Sequence, residues 1–159
     1  TEGGTRALSV SDDGRGIRSD QVSIAFKRYA TSKVSVVRDL DRIETLGFRG
    51  EALSSIASVA KVEITSKREN QKLGNIIILN EGKIEEKKEE VCNTGTSIVI
   101  KNLFFNIPAR KSFLKSDKIE LKHIMDEFFR ASLANNHINF KVTNNESGIY
   151  NLKKGLRAV

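Results

Sequence analysis

Hydrophobic and polar positions change period several times along this chain, and each change marks an element. Ala7-Leu8-Ser9-Val10-Ser11 alternates apolar and polar, the period of two expected of a half-buried strand, and then stops in Asp12-Asp13-Gly14-Arg15-Gly16. Val22, Ala25 and Phe26 share a face at helical spacing, which predicts a short helix over residues 19–26 capped by Ser19-Asp20. Two further short helices are expected over 38–44 and 51–57, flanking the turn Gly47-Phe48-Arg49-Gly50. Residues 61–66, 75–79 and 96–100 read as strands of an antiparallel meander, with turn chemistry in Asn80-Glu81-Gly82-Lys83. Asp117 with Glu120 fits a capping box, after which Leu121, Met125, Phe129 and Leu133 recur every four residues beside Ile124 and Phe128. A stripe at that spacing reads as core. Residues 140–142 and 149–152 complete the pattern as two strands around Asn144-Asn145-Glu146-Ser147-Gly148.

A chain of 159 residues, 38% hydrophobic, suits one domain or a large part of one. The opening Thr1-Glu2-Gly3-Gly4-Thr5 runs almost directly into a strand and reads as a cut edge, and the far end reads as a following domain cut away. No apolar run approaches the ~18 residues that a membrane span needs, and no secretory signal is visible, so a soluble chain is expected. Cys92 is the only cysteine, which rules out an intrachain disulfide and suits a reducing compartment; an idle or buried thiol is expected. The net charge of +7 attracts polyanions at long range, although for charge alone a solvated lysine-rich surface is the better explanation. Glu85-Glu86-Lys87-Lys88-Glu89-Glu90 mixes both signs within one segment.

Chemistry is concentrated where elements meet. Asp12 ends a strand beside Gly14 and Gly16, whose missing side chains permit close backbone approach to a ligand, and its carboxylate can accept from an adenine amino group. Thr31-Ser32-Lys33 offers hydroxyls and an ammonium to phosphate oxygens. Gly47-Phe48-Arg49-Gly50-Glu51-Ala52-Leu53 offers backbone N–H groups at a helix start, where the dipole favours anions. Asn93-Thr94-Gly95-Thr96-Ser97 precedes a strand and places a threonine hydroxyl where it can hold Asp12 or a bridging water. Each has a plain structural alternative, a turn or a helix cap.

Taken in order, Asp12-x-Gly14-x-Gly16-Ile17, Thr31-Ser32-Lys33, Gly47 through Leu53, Gly95-Thr96 and Phe105-Asn106-Ile107-Pro108-Ala109-Arg110-Lys111 resemble the MutL family of DNA mismatch-repair proteins. That family lies within the ATPase superfamily shared with gyrase, Hsp90 and histidine kinases. The resemblance implies an α+β, Bergerat-type two-layer sandwich, a mixed and mostly antiparallel sheet with helices on one face. It implies ATP and Mg²⁺ as cofactors, with Asp12 and Thr96 at the adenine and Gly14, Gly16 and Ile17 shaping the base pocket. Thr31, Ser32, Lys33 and Gly47, Phe48, Arg49, Gly50, Glu51, Ala52 and Leu53 are then expected around the phosphates. It also implies DNA, a second copy or paralogue and other mismatch-repair proteins as partners, and a cytoplasmic or, in a eukaryote, nuclear location. Residues 1–140 would be a partial ATP-binding domain lacking its first strand and helix, and 141–159 its end and the start of a transducer domain.

The departure from the family lies before Asp12. The family carries there a helix with Glu-x-x-x-Asn, whose Glu activates water and whose Asn holds Mg²⁺; residues 1–11 contain no such pair. A lysine that reaches the γ-phosphate comes from the following domain. As written, the chain is therefore expected to bind or hydrolyse ATP poorly by itself. Glu51 is a weak substitute for the base, and His123 and His137 have no partners suggesting a metal or triad. Arg110, Lys111, Lys115, Lys118 and Lys122 form a basic stretch suited to DNA phosphates or simply to solvent. The rival readings are a non-hydrolysing nucleotide-binding or interaction module, a basic nucleic-acid-binding domain whose glycine loops are only turns, and, ranked last, a topoisomerase relative.

Overall fold

The computed structural model describes residues 1–31, 47, 49–145 and 147–155. The helix expected over 38–44 and the site candidates Ser32, Lys33 and Phe48 lie outside the described residues. The chain divides into two units, one formed by Leu8–Ser112 and the other by Thr1–Ala7 with Phe113–Val159.

Strand β1 (Ala7–Asp12) leads into the glycine loop and then into helix α1 (Ser19–Val22). The helix expected over 19–26 is broken: α1 is one turn long and a separate 3-10 turn follows at Ile24–Phe26. Ser19 does not cap it, since Arg18 occupies that position and the Ser19 hydroxyl instead accepts from Asn75 Nδ2 at 2.9 Å. Tertiary hydrogen bonding has replaced a local cap. Val22 is nevertheless fully buried, so the predicted apolar face survives the break.

Helix α2 (Ala52–Ala57) matches the expected third helix and precedes β2 (Lys61–Lys67), β3 (Gly74–Asn80), β4 (Lys83–Glu90) and β5 (Gly95–Lys101). The sheet order is β1-β5-β2-β3-β4, with β2–β3, β3–β4 and β2–β5 all antiparallel. Glu81 and Gly82 both have positive φ, 50° and 76°, as a tight primed hairpin turn between β3 and β4 requires. Strand β4 is the element that period-two reading misses: all eight residues are exposed. It is a sheet edge whose order comes from backbone pairing to β3, and its charged side chains keep that edge soluble.

The register sets Val62 opposite Leu79 and Ile100, and Ile64 opposite Ile77 and Ile98, so these residues share one face of the sheet. Val22 of α1 and Ala57 of α2 pack there with Ala60, Val62, Ile64, Ile77 and Leu79 into the buried core. Both helices therefore cover the same face, and Ile17, Phe26 and Ile56 pack around the margin. Glu63 and Lys101 form an ion pair at 3.2 Å on the sheet. Because both ends are partly solvated, Lys101→Met is expected to change stability by no more than about 1 kcal/mol, measured by urea unfolding.

In the other unit, helix α4 (Asp117–Ala134) follows the single turn α3 (Pro108–Lys111) that ends the first unit. Its N-cap is Ser116 rather than Asp117, and Glu120 reaches back to accept the Lys115 N–H at 2.7 Å. Phe128 and Phe129 form a ring cluster with Phe140 and Tyr150 of the antiparallel hairpin β6 (Phe140–Asn144) and β7 (Ser147–Leu152), edge-on except for the stacked Phe128–Tyr150 pair. Leu133, expected as the last core position, is 58% exposed, and the buried position in that turn is Ser132.

Candidate functional site

The glycine loop is shaped by three close backbone approaches. Asp12 Oδ1 accepts the Gly14 N–H at 2.9 Å, a local turn that holds the carboxylate at the end of β1. Gly16 adopts φ +66°, and a Cβ there would lie 2.1 Å from the Lys67 carbonyl oxygen. Gly95 adopts φ +120°, and a Cβ there would lie 2.0 Å from the Asp12 carbonyl oxygen. Only glycine permits the loop to lie this close to β2 and β5.

Beneath the loop, Ser66 is 1% exposed and bonds to three residues, one in the loop and two on β5. Its Oγ accepts the Ile17 N–H at 2.9 Å, donates to the Gly95 carbonyl at 3.0 Å and lies 2.9 Å from Thr96 Oγ1. Ser11 Oγ bonds Ser97 Oγ at 2.8 Å, which places both on one face of the sheet. Because side chains alternate along strands, Asp12 and Thr96 fall together on the other face, the one covered by helices. Asp12, Gly14, Gly16, Ile17 and Thr96, singled out in the sequence, are thus brought into one connected group. Ser66 was missed, and the available signal was a polar residue in phase with buried Val62 and Ile64.

The expected half-burial of β1 is corrected by the structure. Val10 is 62% exposed and Ser9, Ser11 and Asp12 are exposed, because β1 is the last strand at its side of the sheet among the described residues. Asp12 therefore presents its carboxylate to solvent, and no hydrogen bond to the described residues occupies Oδ2.

The second predicted group lies around the start of α2. Gly50 sits directly against the backbone of Ala30, the residue before Thr31. Arg49 Nε pairs with Glu51 Oε2 at 2.9 Å, with the Arg49 side chain largely in solvent. Glu51 precedes Ala52 and Leu53 as the N-cap of α2, but no side-chain cap bond forms. The two groups meet through the core, since Ile17 follows the first and Ile56 belongs to the helix of the second.

An open groove of about 820 Å³ runs along the glycine loop, lined by Asp13, Gly14, Arg15, Arg68, Glu69, Asn70 and Thr94. It contains neither Asp12 nor Thr96. Among the described residues no cluster of three His, Cys, Asp or Glu side chains is placed to hold a metal ion, and no helix is long and apolar enough to cross a membrane.

A mostly antiparallel sheet with helices on one face and a glycine loop closing on its edge strand is the architecture of a Bergerat-type ATPase domain. The chain belongs to the histidine kinase-, DNA gyrase B- and HSP90-like ATPase family, which it matches over residues 1–111. Within that family it is most like the ATPase domains of MutL-type mismatch-repair proteins. The DNA mismatch repair protein MutL of Flavobacterium psychrophilum is 46% identical over 151 residues, covering 95% of this chain and 25% of the relative. MutL of Bacteroides fragilis is 43% identical over 152 residues, covering 96% and 24%. The Aquifex aeolicus MutL ATPase domain complexed with ADP has a TM-score of 0.74 at 25% identity, covering 94% of this chain and 52% of that one. The chain spans about a quarter of the length of the curated relatives it matches.

Proposed function

We propose that this chain supplies the adenine-facing loop and the lid of an ATP site whose occupancy drives N-terminal dimer closure on DNA during mismatch repair. The observation that carries the reading is the position of Asp12: an exposed carboxylate at a strand end, one oxygen held by Gly14, beside Thr96 and the close-packed Gly16. A carboxylate so held is an acceptor for the exocyclic amino group of adenine, and the glycines leave room for the base. The triphosphate, with Mg²⁺, supplies the bond that is hydrolysed. Thr31, Ser32, Lys33 and the segment from Gly47 to Leu53 hold the phosphates, and Arg49 exchanges its Glu51 partner for a phosphate oxygen. Residues 1–140 belong to the ATP-binding domain. Exposed Arg110 and Lys111 of α3 contact DNA phosphates.

Asp12→Asn tests the reading in the full-length parent. Gly14 N–H keeps the amide oxygen, so the NH₂ group turns toward the adenine amino group and two donors face each other. Losing a hydrogen bond to a charged acceptor costs about 1.5–3 kcal/mol, so affinity for a non-hydrolysable ATP analogue is expected to fall roughly 10- to 100-fold in calorimetric titration. Unchanged affinity would overturn the assignment.

A further inference from the structure

The open groove beside the glycine loop carries four charges that do not neutralise one another. Asp13 and Arg15 come from the loop, and Arg68 and Glu69 from the turn after β2. Arg6, Arg18, Arg49 and Arg130 are taken up in salt bridges, whereas among the described residues Arg15, Arg28, Arg68 and Arg110 have no such partner. Three of these four are exposed, and Arg68 alone is half-buried. A guanidinium partly removed from water and left unpaired is unfavourable unless an anion meets it.

The backbone that carries these cations is fixed. Arg68 N–H donates to Gln71 Oε1 at 3.1 Å, and its carbonyl accepts the Gln71 N–H at 3.0 Å, which closes the turn. Gln71 Nε2 donates onward to Ser19 Oγ at the start of α1. On the loop side, a Cβ at Gly16 would lie 2.1 Å from the Lys67 carbonyl oxygen and 3.1 Å from Arg68 N, so loop and turn are held against each other. A ligand therefore has little backbone left to order. Its chemistry follows from the lining. A polyanion such as DNA meets Asp13 and Glu69 as well as the arginines, and their repulsion opposes it; a single carboxylate fits the guanidinium forks without that conflict. Past Arg68 and Asn70 a second open stretch of about 390 Å³ continues along Ser19, Asp20 and Gln71, so the groove suits an extended chain better than a small acid. The Asn70 amide and the Thr94 hydroxyl line it as further donors and acceptors for a peptide backbone.

We propose that this groove binds an extended peptide segment with an acidic side chain between basic neighbours, the carboxylate held by Arg15 and Arg68 and the basic side chains by Asp13 and Glu69. The site uses neither Asp12 nor Thr96 and does not depend on the ATP-site reading.

A random heptapeptide phage library panned against the nucleotide-free full-length parent tests this, with the Arg68→Gln protein panned in parallel. Peptides carrying Asp or Glu flanked by Lys or Arg are expected to be enriched on the parent. As free synthetic peptides they are expected to bind Arg68→Gln and Arg15→Gln about tenfold or more weakly in calorimetric titration, the loss of a hydrogen bond to a charged group. Arg68→Glu is expected to reverse the selection toward basic peptides, which a merely structural Arg68 would not do. The absence of acidic enrichment, or peptides that bind both glutamine variants as tightly as the parent, overturns the proposal. A mixed-sequence single-stranded oligonucleotide that displaces the peptides and shows the same dependence on Arg15 and Arg68 overturns it in favour of nucleic acid. Where Arg68→Gln does not fold, Arg15→Gln at its exposed position decides alone. Unchanged ATP-analogue affinity in Asp12→Asn would remove the nucleotide reading and leave the peptide result standing.

Discussion

Gly95→Ala is expected to abolish nucleotide binding and to lower stability by several kcal/mol. At φ +120° an L-residue is strained by about 1–3 kcal/mol before any contact is considered. The added methyl would also stand 2.0 Å from the Asp12 carbonyl oxygen and 3.0 Å from Asp13 Cα, both backbone atoms with no rotamer to yield. Relief requires β1 to move away from β5, which adds a packing cost of roughly 1–3 kcal/mol and drags the Asp12 carboxylate off its position. Thermal unfolding and analogue titration read the two losses separately. A Gly95→Ala protein with native melting temperature and native affinity would show that β1 does not lie where the structure places it.

The same proximity explains how much of the site the sequence disclosed. Asp12, Gly14, Gly16 and Thr96 are singly ordinary residues for strand ends and turns, and they stand out only because their order matches the family. Ser66 does not, because a serine at the end of an apolar-alternating strand looks like surface until the β2–β5 register puts it opposite Thr96. Its phase with Val62 and Ile64 is the one sequence signal of burial, and the three-dimensional pairing shows what the hydroxyl meets. The core strands β2, β3 and β5 were legible within a residue or two at each end, since apolar alternation and β-branched residues agree there. Strand β4 was not, since an edge strand with eight exposed residues carries no hydrophobic signal. The 19–26 segment was half legible: the apolar face of Val22 is real, but Ser19 is drawn to Asn75 across the fold, a contact that no local capping rule anticipates.

Ile64→Ala is expected to have the largest effect of any single truncation in the Leu8–Ser112 unit. Ile64 has no exposed surface and sits at the middle of β2, where Ile77 on β3 and Ile98 on β5 flank it in register. Three β-branched side chains across three adjacent strands form the floor on which Val22 and Ala57 rest. Removing the bulk of the central one leaves a cavity whose walls are held by strand pairing on both sides, so collapse is restricted. The expected cost is roughly 2–5 kcal/mol, with the upper half of that range favoured by the rigidity of the surrounding sheet. Because a domain of this size is stable by only about 5–15 kcal/mol, the variant should unfold at markedly lower urea concentration. It should also weaken nucleotide binding indirectly, since Ser66 lies two residues along on the same face and shares the strand's position. Ile64→Val, which deletes one methyl group, is expected to cost about 0.5–1.5 kcal/mol and to leave affinity intact. A Ile64→Ala protein that unfolds like the parent sequence would mean that the β2 face does not form the core, and with it the placement of Ser66 beneath the glycine loop would fall.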